Sequence, residues 1–131
     1  MIALDTNVLV RYIVQDDSVQ SPLATTFIES ATHSEPYFVT MVTVVELVWV
    51  LKGGYKADKS AIVAVLDTLL RTRELQIERA DVVLQAIHRF KTSKADFADC
   101  LIFSVALAEH CQEVVTFDQK AAKSVGMRLL T

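Results

Sequence analysis

The sequence predicts a three-layer α/β domain in which helices cover both faces of a parallel β-sheet. Short apolar segments typical of strands alternate with segments whose apolar residues recur at helical spacing, and this alternation indicates parallel strands joined by helices. The chain has 131 residues, of which 52% are apolar, and it is long enough to bury one core. Because no linker, repeat or low-complexity segment interrupts it, we expect a single domain over residues 1–131.

The first elements follow from apolar runs and from residues that begin helices. Residues 2–5 form a short apolar segment that predicts a buried strand. A helix is predicted over residues 22–32, with Ser21 as its N-cap and Pro22 at its first helical position. A second strand is predicted over residues 37–40, where aromatic and β-branched residues are concentrated.

Glycine and aspartate set the limits of the next helices. A helix over residues 41–52 is expected to end at Gly53. Asp58 is a candidate N-cap for the following helix, and residues 75–77 predict a third strand. The apolar residues of the helix after Asp58 recur at helical spacing: Ile62, Val63, Leu66, Leu69 and Leu70.

The last third of the chain repeats the alternation. Helices are predicted over residues 81–91 and 96–111, followed by a strand over residues 113–117. A short helix over residues 119–124 and a last strand over residues 127–130 complete the predicted domain.

Charge, cysteine content and apolar run lengths restrict the class of protein. The chain carries 16 acidic and 13 basic residues, and this net charge of −3 argues against a protein that coats nucleic acid, although an enzyme with acids around a cation remains possible. Cys100 and Cys111 fall in one predicted helix about 16 Å apart, so we expect two reduced thiols packed as small apolar groups, as in the cytoplasm. No signal peptide or membrane span is expected, because Asp5 and Glu46 interrupt the apolar runs.

Two aspartates directly follow predicted strands. Asp5 follows the apolar residues of the first strand, and Asp118 follows "EVVTF" in the same way. Either residue would serve as the N-cap of the next helix, and either would also serve as a metal ligand at the carboxyl end of a parallel strand. Both interpretations stay open for each residue considered alone.

Glu46 is the single charged residue in an apolar helix. It forms a polar stripe with Thr40 and Thr43, since the three are spaced by three residues. This stripe is either solvated or faces a pocket, and the apolar flanks favour a pocket. A carboxylate in such a place needs a cation near it.

Asp96 and Asp99 share the first turn of the predicted helix 96–111. Helix capping is an alternative for both, but Asp96 fits the N-cap better and Asp99 lies further inside the helix. We therefore assign Asp99 to the site and Asp96 to its support. Gathered carboxylates without histidine or cysteine favour a hard cation, so we expect Mg²⁺ or Mn²⁺.

Four segments resemble the PIN domain, and in particular the VapC-type toxin ribonucleases of bacterial toxin–antitoxin pairs: "LDTNVLV", "TVVELVWVL", "ADFADCLI" and "VVTFD". The resemblance covers the whole chain in order and spacing. It implies a three-layer fold whose parallel sheet has the strand order 3-2-1-4-5. It also implies a Mg²⁺- or Mn²⁺-dependent endoribonuclease acting on structured RNA such as tRNA or rRNA, which forms a homodimer and is blocked by a small antitoxin.

The family's functional residues fall on named positions of this chain. The resemblance implies that the catalytic, metal-binding acids are Asp5, Glu46, Asp99 and Asp118. Supporting positions are Asp96, Thr6, Asn7 and Thr116. Cys100 departs from the family, where alanine is commoner.

Two surfaces are expected in addition to the acids. The helix 41–52 is apolar on many sides, and a dimer interface would use Val44, Val48, Trp49 and Leu51. Candidate RNA-binding cations are Lys52, Lys56, Lys59, Arg11 and Arg89.

Three other functions are weaker predictions. A phosphatase or phosphotransferase with Asp5 as nucleophile would need a second acid two residues later, but position 7 is Asn. A non-catalytic acidic binding module would use its acids only as caps, and Glu46 has no helix end to cap. A receiver-type signalling domain would need a lysine near the last strands that is not evident.

Overall fold

The computed structural model describes residues 1–131, which divide into two compact units, Met1–Glu78 and Arg79–Thr131. The elements of the first unit are α1 (Thr6–Val14), α2 (Gln20–Glu29), β1 (Tyr37–Val39), α3 (Met41–Gly53), α4 (Lys59–Arg71) and β2 (Leu75–Ile77). Those of the second unit are α5 (Ala80–Thr92), α6 (Phe97–Ala108), β3 (Val115–Thr116), α7 (Gln119–Val125) and β4 (Arg128–Leu129). Helices and parallel strands alternate, as the α/β prediction required. No helix is both long enough and apolar enough to cross a membrane.

The strands of the first unit pair in the predicted order. β1 and β2 are parallel, with Tyr37 opposite Leu75. Ala3 makes a parallel bridge to Phe38 on the other side of β1, and the Leu4 amide donates to the Phe38 carbonyl at 2.9 Å. The predicted first strand over residues 2–5 is therefore reduced to a single bridge, of which only Leu4 is buried.

The sheet prediction needs a correction. The strands form two two-stranded parallel sheets, β1–β2 and β3–β4, in place of one five-stranded sheet. Because each strand is only two or three residues long, the ladders contain few hydrogen bonds. The order 3-2-1-4-5 is therefore seen only as its two parts, 3-2-1 in the first unit and 4-5 in the second. The single domain over residues 1–131 stays a prediction.

The core of the first unit lies under the helices that carry its polar groups. The buried positions of α1, α2 and α3 follow helical spacing and include Leu9, Ile28 and Leu47, each fully shielded from solvent. α4 adds Ile62 and Leu66 to this core. These buried faces fix the rotation of α1 and α3, and hence the direction of their polar faces.

α2 begins two residues earlier than expected. The sequence predicts Ser21 as N-cap, but one carboxylate oxygen of Asp17 accepts the amide protons of Val19 and Gln20 at 3.0 and 2.7 Å. Ser21 is buried within the first turn, and its hydroxyl accepts the Asp17 amide proton at 3.3 Å. Asp17 thus satisfies the first free amides in place of Ser21.

α5 packs along α6 in the second unit. Phe90 meets Phe97 edge to face, with 5.8 Å between ring centroids, and Cys100 is fully buried. A Schellman turn ends α6 at Ala108: the His110 and Cys111 amides donate to carbonyls inside the helix, and His110 has φ 63°. The expectation of a longer helix that packs Cys111 is therefore wrong, and its thiol is exposed.

Candidate functional site

Asp5 is held at the junction between the first strand segment and α1. Its backbone is extended, and one of its carboxylate oxygens, Oδ1, accepts the Thr6 amide proton at 2.8 Å. Asp5 is therefore the N-cap of α1, as one of its two interpretations predicted. Capping occupies one oxygen of an exposed carboxylate, so it leaves room for a second role.

Glu46 meets the first turn of α1 through a buried hydroxyl. The Thr6 hydroxyl donates to Oε1 of Glu46 at 2.7 Å, while Thr6 itself is only 9% exposed. This bond orients the carboxylate of Glu46 from a fixed point next to Asp5. It also gives Thr6, expected as a supporting residue, a specific contact.

The polar stripe of α3 is buried at Thr43 and open to solvent at Glu46. Thr40 is the N-cap of α3 and accepts the Thr43 amide proton at 3.1 Å, and Thr43 is buried. Glu46 is exposed but lines a cavity of about 390 Å³ beside α1. The other residues of this α1–α3 cavity are Asp5, Thr6, Asn7, Val10, Arg11, Val50 and Tyr55.

Asp96 and Asp99 take different positions at the start of α6. Asp96 is the N-cap, and its Oδ1 accepts the Asp99 amide proton at 2.9 Å. Asp99 lies in the first turn, half-buried, and caps no helix end. The expectation that Asp96 is the better N-cap is confirmed, whereas the assignment of Asp99 to the site stays a prediction.

Asp118 is the N-cap of α7 and is fixed from both sides. Its Oδ1 accepts the amide protons of Lys120 and Ala121 at 2.8 and 3.2 Å. The hydroxyl of Thr116 accepts the Asp118 amide proton at 3.0 Å. Thr116 therefore shapes the turn that presents Asp118. Its hydroxyl contacts the backbone amide of Asp118 and not the carboxylate.

The acids of the second unit influence one another. Burial raises the pKa of the Asp99 carboxyl, and the negative charges of Asp96 and Asp118, together with a hydrogen bond to the Asp96 side chain, raise it further. A cation near Asp99 would relieve this repulsion, and oxygen donors suit a hard cation.

No group of three or more histidine, cysteine, aspartate or glutamate side chains is arranged to hold an ion. Asp5 and Glu46 belong to the first unit, and Asp96, Asp99 and Asp118 belong to the second. The donor chemistry fits Mg²⁺ or Mn²⁺, whereas the ligand set stays a prediction.

Several residues expected at surfaces are engaged elsewhere. Val44, Val48 and Leu51 are buried in the first unit, so their assignment to a dimer interface is wrong; Trp49 remains 63% exposed. Arg89 donates to the Ser104 hydroxyl at 2.8 Å and stacks over the ring of Phe103 within the second unit. A helix that is apolar on many sides indicated an interface because sequence alone does not show how much of it is covered.

The sequence prediction missed Tyr55 as a residue of the α1–α3 cavity. Its hydroxyl donates to Oδ2 of Asp16 at 2.9 Å. The only local signal is its position directly after Gly53 and Gly54, where the chain leaves α3.

Two of the candidate RNA-binding lysines, Lys52 and Lys56, are exposed, and Lys56 has φ 55° in the turn after α3.

Comparison with known proteins identifies the family of the chain. The profile of the PIN domain matches residues 2–126. The chain is also 28% identical over 120 residues to a VapC ribonuclease of Aquifex aeolicus (strain VF5), a match that covers 92% of this chain and 89% of that relative. Since the PIN profile spans nearly the entire sequence, including all five acids, the chain belongs to the PIN domain family.

Proposed function

We propose that the protein is a metal-dependent endoribonuclease that cleaves structured RNA such as tRNA or rRNA. The observation that carries the proposal is the PIN match over residues 2–126, which includes Asp5, Glu46, Asp99 and Asp118. A relative named as a ribonuclease over 92% of this chain supports the same activity.

The proposed ligands of Mg²⁺ or Mn²⁺ are Asp5, Glu46, Asp99 and Asp118. When bound, such an ion makes a coordinated water more acidic and neutralises charge on phosphate oxygens. Four carboxylates would repel one another and the substrate without it. The raised pKa of the Asp99 carboxyl is consistent with this need for a cation.

The protein's own contribution is to fix the carboxylates before RNA arrives. The Thr6 hydroxyl orients Glu46, and the Thr6 amide holds one oxygen of Asp5. Asp96 shapes the first turn of α6 around Asp99, and Thr116 shapes the turn that presents Asp118. Such prior fixation lowers the cost of ordering the site during the reaction.

The proposal extends to partners. As the toxin of a toxin–antitoxin pair, the protein acts in the cytoplasm and is silenced by a small antitoxin, a role that the resemblance of its four segments to VapC-type toxins supports. We also propose a homodimer. The exposed side chain of Trp49 is available for that contact, which sedimentation of the wild type and of a Trp49→Ser variant would test.

RNA cleavage by the purified protein tests the proposed function. Cellular RNA should be cut at defined positions in Mg²⁺ or Mn²⁺ and left intact in EDTA, with sequencing of the new ends identifying the cleaved RNAs. Affinity purification from the native cells should recover a small partner protein that suppresses cleavage. Full cleavage in EDTA would exclude the metal mechanism, and intact RNA under every metal condition would exclude the ribonuclease.

A further inference from the structure

The first unit has a second cavity next to the one that Glu46 lines. This α1–α2 cavity has a volume of about 470 Å³, within the range of pockets that hold small organic groups. Asp5, Asn7 and Arg11 line both cavities, so the face of α1 that carries them forms a shared wall. Asn7 and Arg11 are four residues apart and therefore lie on one side of the helix.

Arg11 is fixed in this wall by neighbours on both sides. Its Nη1 donates to Oδ1 of Asp16 at 3.1 Å, and its Nε donates to Oε1 of Gln20 at 2.8 Å. The Tyr55 hydroxyl holds the other oxygen of Asp16. A guanidinium has five N–H donors, so these two bonds leave donors for an outside ligand. The side chain is 32% exposed.

The other walls of the α1–α2 cavity have the chemistry of a base-binding site. Leu23 and Phe27 are partly exposed and offer apolar surface. Bases of an unpaired strand stack on aromatic rings, and the Phe27 ring, which stacks on Tyr37 at 4.7 Å between centroids, is the aromatic ring in this lining. Asn7 and Gln20 add amide groups, which suit the donor and acceptor edges of a base. Arg11 is the only cationic residue in the lining of either cavity.

We propose that the α1–α2 cavity binds the nucleotide next to the cleaved bond and that Arg11 is a positioning residue that contacts its phosphate. The inference rests on the proposed ribonuclease function. Asp5 begins α1 and Arg11 lies six residues later, roughly 9 Å along the helix axis. The carboxylate of Asp5 in the shared wall repels the RNA phosphates, and the guanidinium of Arg11 in the same wall attracts them.

RNA binding without cleavage tests this assignment. In EDTA, the affinity of wild type and Arg11→Gln for an RNA that the wild type cleaves is measured over a series of salt concentrations. We expect Arg11→Gln to weaken binding about tenfold and to reduce the slope of log affinity against log salt by about 0.7, the value for one lost contact to a single strand. Arg11→Lys should keep the slope because the charge remains. Arg73→Gln, a change at an exposed arginine outside both cavities, should behave as wild type.

A second measurement addresses the base. Leu23 is 66% exposed, so Leu23→Ala should leave the fold intact while changing which bases flank the cleaved positions, read by sequencing the new RNA ends.

The results separate the two proposals. If wild type cleaves RNA but Arg11→Gln keeps its affinity and salt slope, the subsite is wrong and the ribonuclease stands. If Arg11→Gln loses a protein partner and no RNA affinity, the cavity docks protein and the subsite is again wrong. If wild type neither binds nor cleaves RNA, the proposed function itself fails.

Discussion

At the scale of single residues, helix capping and cation binding are compatible roles for one carboxylate. Asp5, Asp96 and Asp118 each cap a helix through Oδ1. Glu46 and Asp99 cap no helix end; Glu46 accepts the Thr6 hydroxyl proton, and Asp99 lies inside the first turn of α6. The two alternatives that the sequence left open for Asp5 and Asp118 are therefore separated by removing charge while keeping the cap.

Asp5→Asn should abolish cleavage while preserving the helix. An asparagine oxygen still accepts the Thr6 amide proton but carries no charge for a metal. Mutation of residues that only hold metal ligands in place lowers metal affinity or activity by about 10–100-fold. For a ligand itself we therefore expect a loss of at least about 100-fold in kcat/KM. Asp58→Asn is the control, since Asp58 is also an N-cap whose Oδ1 accepts a backbone amide proton, that of Ala61, and it lies outside the proposed ligand set. Equal cleavage by both variants would make Asp5 a structural cap only.

The raised pKa of Asp99 predicts how the metal-free protein responds to pH. A group whose pKa is higher in the folded state favours folding while it is protonated, so its contribution is complete below the ordinary aspartate pKa of about 3.9 and is lost as pH rises through the raised value. In EDTA, Asp99→Asn should therefore melt higher than wild type at neutral pH, and the gap should close as the solution is acidified. Mg²⁺ should raise the melting temperature of wild type more than that of the variant.

Melting curves from pH 3 to 7 measure this difference, with Asp81→Asn in the first turn of α5 as the control. A constant gap between wild type and Asp99→Asn over that range would show that the titration of Asp99 does not affect folding.

At the scale of elements, the N-cap of α3 adds to the stability that its buried apolar residues provide. Thr40 accepts the Thr43 amide proton, and its hydroxyl donates to that of Thr43. Thr40→Ala should lower the free energy of unfolding by about 1 kcal/mol, whereas Thr40→Ser should retain most of the stability. Denaturant titration of both variants checks this. Equal stability of Thr40→Ala and wild type would show that the cap contributes nothing.

The type of most elements was predictable from sequence, whereas their ends were predictable only where a clear cap was present. Asp58 begins α4 as predicted because its side chain accepts the Ala61 amide proton. The end of α6 was not predictable, because His110 takes the left-handed conformation in which glycine is the usual signal. Asp17 was missed because it lies three residues before α2 and reaches forward to free amides.

For the candidate site, sequence spacing identified the acids, but it did not identify what holds them. The bond from Thr6 to Glu46 joins residues 40 positions apart and has no local pattern. The place of Arg11 in a cavity wall likewise depends on how α1 and α2 pack, so Arg11 could not be preferred to Arg89 from sequence. Packing also explains why Val44, Val48 and Leu51 are core residues rather than an interface.

At the scale of the whole molecule, we propose that acids from both units act in one reaction. Asp5 and Glu46 belong to Met1–Glu78, and Asp99 and Asp118 belong to Arg79–Thr131. The PIN profile crosses this division without a break, which supports a joint function. Residues that act as one catalytic unit show strongly non-additive losses, whereas independent residues show losses that multiply.

The most direct test is a double-mutant cycle on RNA cleavage in Mg²⁺ or Mn²⁺, with kcat/KM measured for wild type, Glu46→Gln, Asp99→Asn and the double variant. We predict that each single variant loses at least about 100-fold and that the double variant loses little more than either single variant, because one missing ligand already disables the common site. All variants should melt as folded proteins. Near wild-type cleavage by either single variant, or a double loss equal to the product of the single losses, would show that Glu46 and Asp99 do not act in one common site.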